Sequence, residues 1–315
     1  MSAAEGGTNE RAEFLRDALA GLSGAPKTLP GKYLWDETGS DLFDRICAHP
    51  DYYPTKREMA LLPRVAAEVA ALMGPGVSVV EFGSGASRKI RTLLDALEAP
   101  AAFVGLDISG AYLEAAIARL APDYPSVAMT PVCADYSKPV RLPPGVAAPP
   151  ILGFFPGTSI GNFTPEQASG FLARARETLG PSHFLVGADP TQDPARLRRA
   201  YGESGGLMAA LHLNLLDRMN RELGSDFDRD NFRHEARLAD DPFRVEAHLV
   251  THRAASYRIG ERTIHFEAGE SIRTDTSHKY APDEFRELAA AQGWDPIRLW
   301  IDDDSGFSLH LLRAR

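Results

Sequence analysis

Two glycines flank a serine directly after a short β-branched run: Ser78-Val79-Val80-Glu81-Phe82 leads into Gly83-Ser84-Gly85-Ala86-Ser87. Such a turn lets the backbone come close to a ligand, and a helix that follows it offers unpaired N–H groups. Arg88 stands where the third glycine of a dinucleotide fingerprint would be, so the loop points to a nucleoside rather than a pyrophosphate. A purely structural tight turn is the alternative. Asp107 comes 22 residues after Gly85, where a carboxylate can accept hydrogen bonds from both hydroxyls of a ribose. It could instead cap the next helix, a task open equally to Ser109. Asp135 and Tyr136 pair an acceptor with an aromatic face, which suits an adenine amino group and ring; a solvated aspartate and a packing tyrosine are as consistent. Glycines, a ribose carboxylate and an adenine contact without phosphate chemistry together point to S-adenosylmethionine (SAM). Its sulfonium needs no nucleophile from the protein, because aligning the acceptor's lone pair behind the methyl group can supply most of the acceleration.

To bring these residues to one edge, the chain must alternate strands and helices. Helical periodicity at 57–73, 88–97 and 111–120 alternates with apolar runs at 78–82, 101–108, 128–134, 151–155 and 184–188. Thr164-Pro165-Glu166-Gln167 opens a further helix with a Thr cap, Pro at the first helical position and Gln three residues after the cap. The rhythm predicts an α/β fold, a doubly wound, mostly parallel seven-stranded Rossmann-like sheet with its ligands at the C-terminal strand ends. After Asp193 the rhythm changes: 197–223 reads as one helix, and 244–253 with 256–266 as the two strands of a hairpin. A helix returns at 282–292. Runs at 298–301 and 308–312 flank Asp302-Asp303-Asp304-Ser305-Gly306 and are expected to pair, ending the sheet in an antiparallel edge strand. The expected division is 61–192 plus 280–315 for the SAM-binding domain and 11–60 plus 193–279 for a second, substrate-binding domain, with residues 1–10 disordered.

Composition narrows the partners. Of 315 residues, 44% are hydrophobic and 24% charged, values of an ordinary globular chain. With 34 basic against 43 acidic residues the formal charge is −9, a poor match to nucleic acid or an anionic bilayer. The N-terminus carries no basic and apolar leader, so a cytoplasmic protein without a membrane or obligate protein partner is expected. Cys47 and Cys133 belong to no metal-binding or redox spacing and read as buried free thiols. His212, His234, His248, His252, His265 and His278 show no zinc spacing, and the three aspartates at 302–304 read as a solvated loop, so no metal is expected.

Four longer stretches carry a resemblance. Residues 32–43 (KYLWDETGSDLF), 49–55 (HPDYYPT), 81–89 (EFGSGASRK) and 155–163 (FPGTSIGNF) resemble, in order, the L-histidine Nα-methyltransferase family of ergothioneine biosynthesis. The resemblance runs from about residue 25 to the C-terminus. It implies three successive transfers from SAM to the α-amine of histidine, on a class I SAM methyltransferase fold. By the same resemblance Gly83, Lys89, Asp107, Asp135 and Tyr136 contact the cofactor, Asn162 and Tyr201 hold the substrate carboxylate, and Tyr52 lies over the amine and ring as the catalytic residue. Neutral donors such as an Asn amide and a Tyr hydroxyl can orient a carboxylate without an ion pair. From the residues alone, Asn162 reads as a turn residue and Tyr201 as a packing residue.

The sequence departs from the family at its imidazole-recognition stretch, where Thr-Glu-x-Ser becomes Thr274-Asp275-Thr276-Ser277. Asp275 and Ser277 are the implied ring contacts, and the carboxylate is one methylene shorter. Leu211 and Ala247 stand where the family can carry Phe and Met, leaving more room. A larger acceptor, tryptophan or tyrosine, is therefore an alternative to histidine. Outside this chemistry, the same sheet could serve an NAD-dependent oxidoreductase or a non-catalytic ligand sensor. The Pro of Asp189-Pro190 is also unlike the family.

Overall fold

The computed structural model describes residues 3–85 and 88–315, apart from the side chains of residues 3–9 and 203. The chain forms two units, residues 1–52 with 193–277 and residues 53–192 with 278–315. The first and last crossings lie at 52/53 and 277/278, not at the expected 60/61 and 279/280.

The first unit opens with α1 (Ala3–Leu22), β1 (Lys27–Thr28) and α2 (Glu37–Ala48). Residues 3–10 are therefore helical where disorder was expected, and residues 1 and 2 lie outside the described ones. Phe14, Ala18 and Leu22, four residues apart on one helix face, are buried, and this anchor supports the polar turns before it. Phe14 stacks on Tyr33 with ring centroids 4.0 Å apart.

The second unit follows as α3 (Tyr53–Met73), β2 (Ser78–Phe82), α4 (Arg88–Ala96), β3 (Ala102–Asp107), α5 (Gly110–Leu120), β4 (Ala128–Cys133), β5 (Ile151–Phe155), α6 (Pro165–Leu179) and β6 (His183–Ala188). Thr164 and Gln167 form the expected capping box at the head of α6. Strands β6, β5, β2, β3 and β4 lie side by side and parallel. Alternate residues of each strand enter opposite layers. Val79 belongs to one buried cluster with Leu62, Val65 and Ile90 of α3 and α4, whereas Val80 belongs to another with Phe171 and Leu172 of α6.

The chain then returns to the first unit with α7 (Pro194–Arg198), α8 (Leu207–Leu223), β7 (Phe232–Ala239), β8 (Arg244–Thr251), β9 (Ala255–Ile259), β10 (Arg262–Phe266) and β11 (Ser271–His278). The single helix expected over 197–223 is broken, because Gly205 and Gly206 adopt φ of 59° and 79°, where a helix cannot continue. The expected hairpin is also corrected. Strand β8 pairs with β7 over eight positions from Phe232↔Thr251 to Ala239↔Arg244, while β9 and β10 pair with each other in a separate sheet. The turn at Asp240-Asp241-Pro242 was the unread signal. The larger sheet of this unit has the order β1-β11-β8-β7.

The last elements, α9 (Pro282–Ala291), β12 (Trp294–Ile301) and β13 (Ser308–Ala314), complete the second unit. The seven-stranded order is β12-β13-β6-β5-β2-β3-β4. Strand β13 is antiparallel to both β6 and β12, so the antiparallel strand sits one place in from the edge, not at the edge as expected. Neither cysteine is buried: Cys47 is half-buried and Cys133 exposed. The Cys133 thiol, at the end of the outermost strand β4, donates to Ile108 O at 3.6 Å. Among the described residues no helix is long and apolar enough to cross a membrane, and no cluster of His, Cys, Asp or Glu could hold a metal ion. The aspartate loop at 302–304 is tied down, with Arg57 pairing with Asp302 at 3.3 Å and also with Asp304.

Candidate active site

In the second unit the expected cofactor residues gather at the C-terminal ends of β2, β3 and β4. After β2 the chain turns at Gly83, whose φ of 75° favours glycine, with Tyr136 Oη 3.2 Å from where a Cβ would sit. The N–H groups of Gly83 and Ser84 donate to Leu106 O at 2.8 and 3.0 Å, fastening the turn to β3. Among the described residues, a Cβ at Gly85 would meet nothing within 4 Å. Ala86 and Ser87, the end of this motif, lie outside the described residues.

Asp107 is the last residue of β3, and its Oδ1 accepts the Ser109 N–H at 2.9 Å. Ser109 caps α5 without a side-chain bond. Burial lifts the Asp107 carboxyl above the usual carboxylate range, against the pull of the Ser109 and Ile108 N–H groups. Asp135 accepts from both the N–H and the hydroxyl of Ser137 at 3.0 and 2.5 Å, and its other oxygen lies 3.4 Å from Lys138 Nζ. The Tyr136 ring packs edge-on against Phe82, Phe155 and Phe171, with centroids 5.8 to 6.2 Å apart. The loop-and-packing alternative for Asp135 and Tyr136 therefore has structural substance alongside a ligand role.

Two buried carboxyls accompany this edge, and neither was singled out in the sequence. Glu81 is 4% exposed, accepts the Ser84 hydroxyl at 2.7 Å, and is pushed by burial up to about 7. Glu58 of α3 is fully buried and lies 2.6 Å from Lys89 Nζ. Its position was legible: it falls on the stripe Glu58, Leu61, Leu62, Val65, Ala66, Val69 that α3 buries, where a carboxylate is out of place unless it is paired. Asn162 ends the short 3₁₀ turn Ser159–Asn162 after β5. Asp189, past the end of β6, is buried with Lys279 at 2.7 Å, and the Tyr53 hydroxyl donates to the same oxygen at 2.5 Å.

The first unit assembles the expected acceptor residues from distant segments. Tyr52 is 5% exposed and sits edge-on to Tyr201 and Phe43, with centroids 5.9 and 6.0 Å apart. Tyr201 lies in a π-helical turn, Arg199–Glu203, between α7 and α8, a rare geometry frequent at functional sites. Its hydroxyl is 3.2 Å from Ser277 Oγ. Asp275, two residues before Ser277 on β11, shares its face of the strand. A Cβ on Gly31 would fall 2.8 Å from Asp275 Oδ1, so this glycine leaves the carboxylate its place.

Thr274 points the other way. Its hydroxyl donates to Ala247 O at 3.2 Å and lies 2.9 Å from His212 Nδ1, which assigns the His212 proton to Nδ1. His212 stacks on His234 at 5.0 Å and 7°. Burial holds both below the usual imidazole range, His212 well below and His234 at about 4. Leu211 is buried in α8, and Ala247 faces Ala236 across β8 and β7.

The donor set fits a nucleoside with a charged amino-acid end. It combines a glycine turn, carboxylates at two adjacent strand ends and an ammonium at the start of α4. Among known proteins, the family described as "Histidine-specific methyltransferase, SAM-dependent" matches residues 14–314. The chain is 37% identical over 302 residues to the histidine N-alpha-methyltransferase of Mycolicibacterium smegmatis, covering 94% of this chain and 93% of that one. It is 38% identical to the protein of the same name from Mycobacterium tuberculosis, with the same coverage. Ergothioneine biosynthesis protein 1 of Neurospora crassa is 29% identical, over 91% of this chain and 33% of that one.

Proposed function

The chain belongs to the family of SAM-dependent, histidine-specific methyltransferases, and from that premise we propose that it methylates the α-amine of L-histidine, up to three times, to the betaine hercynine of ergothioneine biosynthesis. The observation that carries this reading is the family match across residues 14–314. The names and near full-length coverage of the two mycobacterial relatives support it.

When bound, SAM supplies an electrophilic methyl group on a sulfonium. The chain's own residues have to hold the two substrates in line and present a neutral amine. Asp107 is the acceptor for the ribose hydroxyls, Asp135 and Tyr136 serve the adenine, and Gly83 and Lys89 the amino-acid end. Asn162 and Tyr201 are the neutral donors to the acceptor's carboxylate, and the Ser277 hydroxyl beside Tyr201 fixes the direction of that phenol. Asp275, with Ser277, accepts from the imidazole N–H; a charge-assisted bond of this kind is roughly twice as strong as a neutral one. Tyr52, packed edge-on to Tyr201, orients the amine directly or through a water. The amine of a zwitterion is largely protonated at neutral pH, so the lone pair becomes available only after that proton leaves. No nucleic acid, membrane or obligate protein partner is part of this proposal, and the location proposed is the cytoplasm, where both substrates are metabolites.

Incubation with isotopically labelled SAM and a panel of free amino acids, read by mass spectrometry, tests it. Histidine is expected to gain up to three labelled methyl groups. Preferred methylation of tryptophan or tyrosine, or of no amino acid, would overturn the choice of acceptor.

A further inference from the structure

Glu58 stands out as a charge with no stated task. It is fully buried on the apolar face of α3, where a carboxylate is costly unless it is compensated. Two groups face it. Oε2 lies 2.6 Å from the ammonium of Lys89, and Oε1 accepts the N–H of Gly157 at 2.8 Å. Lys89 is the second residue of α4, directly behind the glycine turn, and its side chain is 21% exposed. Gly157 opens the segment between β5 and Asn162. Its φ is 75°, and a Cβ on it would come 3.2 Å from Lys89 Nζ. One carboxylate thus ties the first turn of α4 to the segment that follows β5.

We propose that Glu58 is a positioning residue for methyl transfer: it fixes Lys89 for the donor's amino-acid end and, through Gly157, the segment that presents Asn162 to the acceptor's carboxylate. The inference rests on the assignment of Lys89 to the donor and of Asn162 to the acceptor. An ammonium carries three N–H donors and can serve two carboxylates at once, so pairing with Glu58 orients Lys89 without removing it from a ligand. The chemistry also separates the two tasks. Glu58→Gln keeps an oxygen for the Gly157 N–H and loses the charge that steers Lys89, whereas Glu58→Leu loses both.

A double-mutant cycle over Glu58→Gln and Lys89→Met tests this, with S-adenosylhomocysteine affinity by calorimetry and separate KM values for SAM and histidine. Lys89→Met is expected to weaken S-adenosylhomocysteine about tenfold and Glu58→Gln about fivefold, with KM for SAM rising in the same order. The double variant should be no weaker than Lys89→Met alone, because the two act as one unit. Glu58→Leu should in addition raise KM for histidine, which Glu58→Gln leaves unchanged; circular dichroism and thermal unfolding establish that each variant is folded. If Lys89→Met weakens binding but Glu58→Gln does not, or if the two losses add, the role of Glu58 is overturned and the donor site stands. If Lys89→Met itself binds like the parent, the donor assignment of Lys89 fails, and the inference with it.

Discussion

The two units differ in the ionisable groups they bury. In residues 53–192 with 278–315 the edge proposed for the donor carries buried ionisable groups, each with a partner: Glu58 with Lys89, Glu81 with Ser84, and Asp189 with Lys279 and Tyr53. In residues 1–52 with 193–277 the groups proposed to meet the acceptor touch through ring edges and neutral hydroxyls, Tyr52 on Tyr201 and Tyr201 on Ser277, with Asp275 the charged residue among them. A cationic donor bearing its own carboxylate and ammonium calls for fixed charges. An acceptor whose amine must be neutral is better held by groups that orient without favouring the protonated form.

The largest expected effect breaks the charged side. Asp107→Ala removes the proposed acceptor of two ribose hydroxyls and should lower S-adenosylhomocysteine affinity and kcat/KM about 100-fold, with unfolding temperature retained. An unchanged affinity in calorimetry would remove the strand-end carboxylate from the donor site. The neutral side can be probed without touching its charge. Gly31→Ala places a Cβ where it must push Asp275 Oδ1 aside, and because that atom ends a movable side chain the fold should tolerate it. KM for histidine is expected to rise about tenfold, as in Asp275→Asn, with S-adenosylhomocysteine binding unchanged. If Gly31→Ala leaves KM alone while Asp275→Asn raises it, the carboxylate's exact seat is unimportant.

Acid and base sharpen the contrast more gently. His234 is held by burial at about 4, below its ordinary 6.5. The native state therefore favours the neutral ring; the stability this gives is fully present above pH 6.5 and is lost as pH falls toward 4. Glu81 is raised by burial from 4.5 to about 7, so its contribution is present below pH 4.5 and is lost as pH rises through 7. Thermal unfolding followed from pH 5 to 8 should show His234→Phe reducing the acid-side loss and Glu81→Gln the alkaline-side loss, each by roughly 3–5 °C. Parallel curves for parent and variants would refute both.

These two halves were not equally legible. The strand ends of the donor edge follow from local periodicity, since Ser78–Phe82, Gly83 and Asp107 lie within one strand-turn-helix-strand stretch. The proposed acceptor residues come from four separated positions, 52, 162, 201 and 275–277, and no local pattern links them. Only the family resemblance named Tyr52, Tyr201 and Asp275. The hairpin expected over 244–266 has the same origin, because β8 pairs with β7, the strand before it, and not with β9, the strand after. Glu58 was hidden differently. A lone glutamate in a helix is ordinarily taken for a solvated residue, and only the register of Leu61, Leu62, Val65 and Val69 reveals that it faces inward.

Strand β13 has a consequence for how this protein is made. It is the last strand of the chain, yet it is wedged between β6 and β12. During synthesis β6 presents an unpaired edge from the time it emerges until residues 308–314 follow, more than a hundred residues later. For that interval the half-built sheet is open to strand addition from other chains, so clipping the segment that closes the seam should favour aggregation over a merely shortened enzyme.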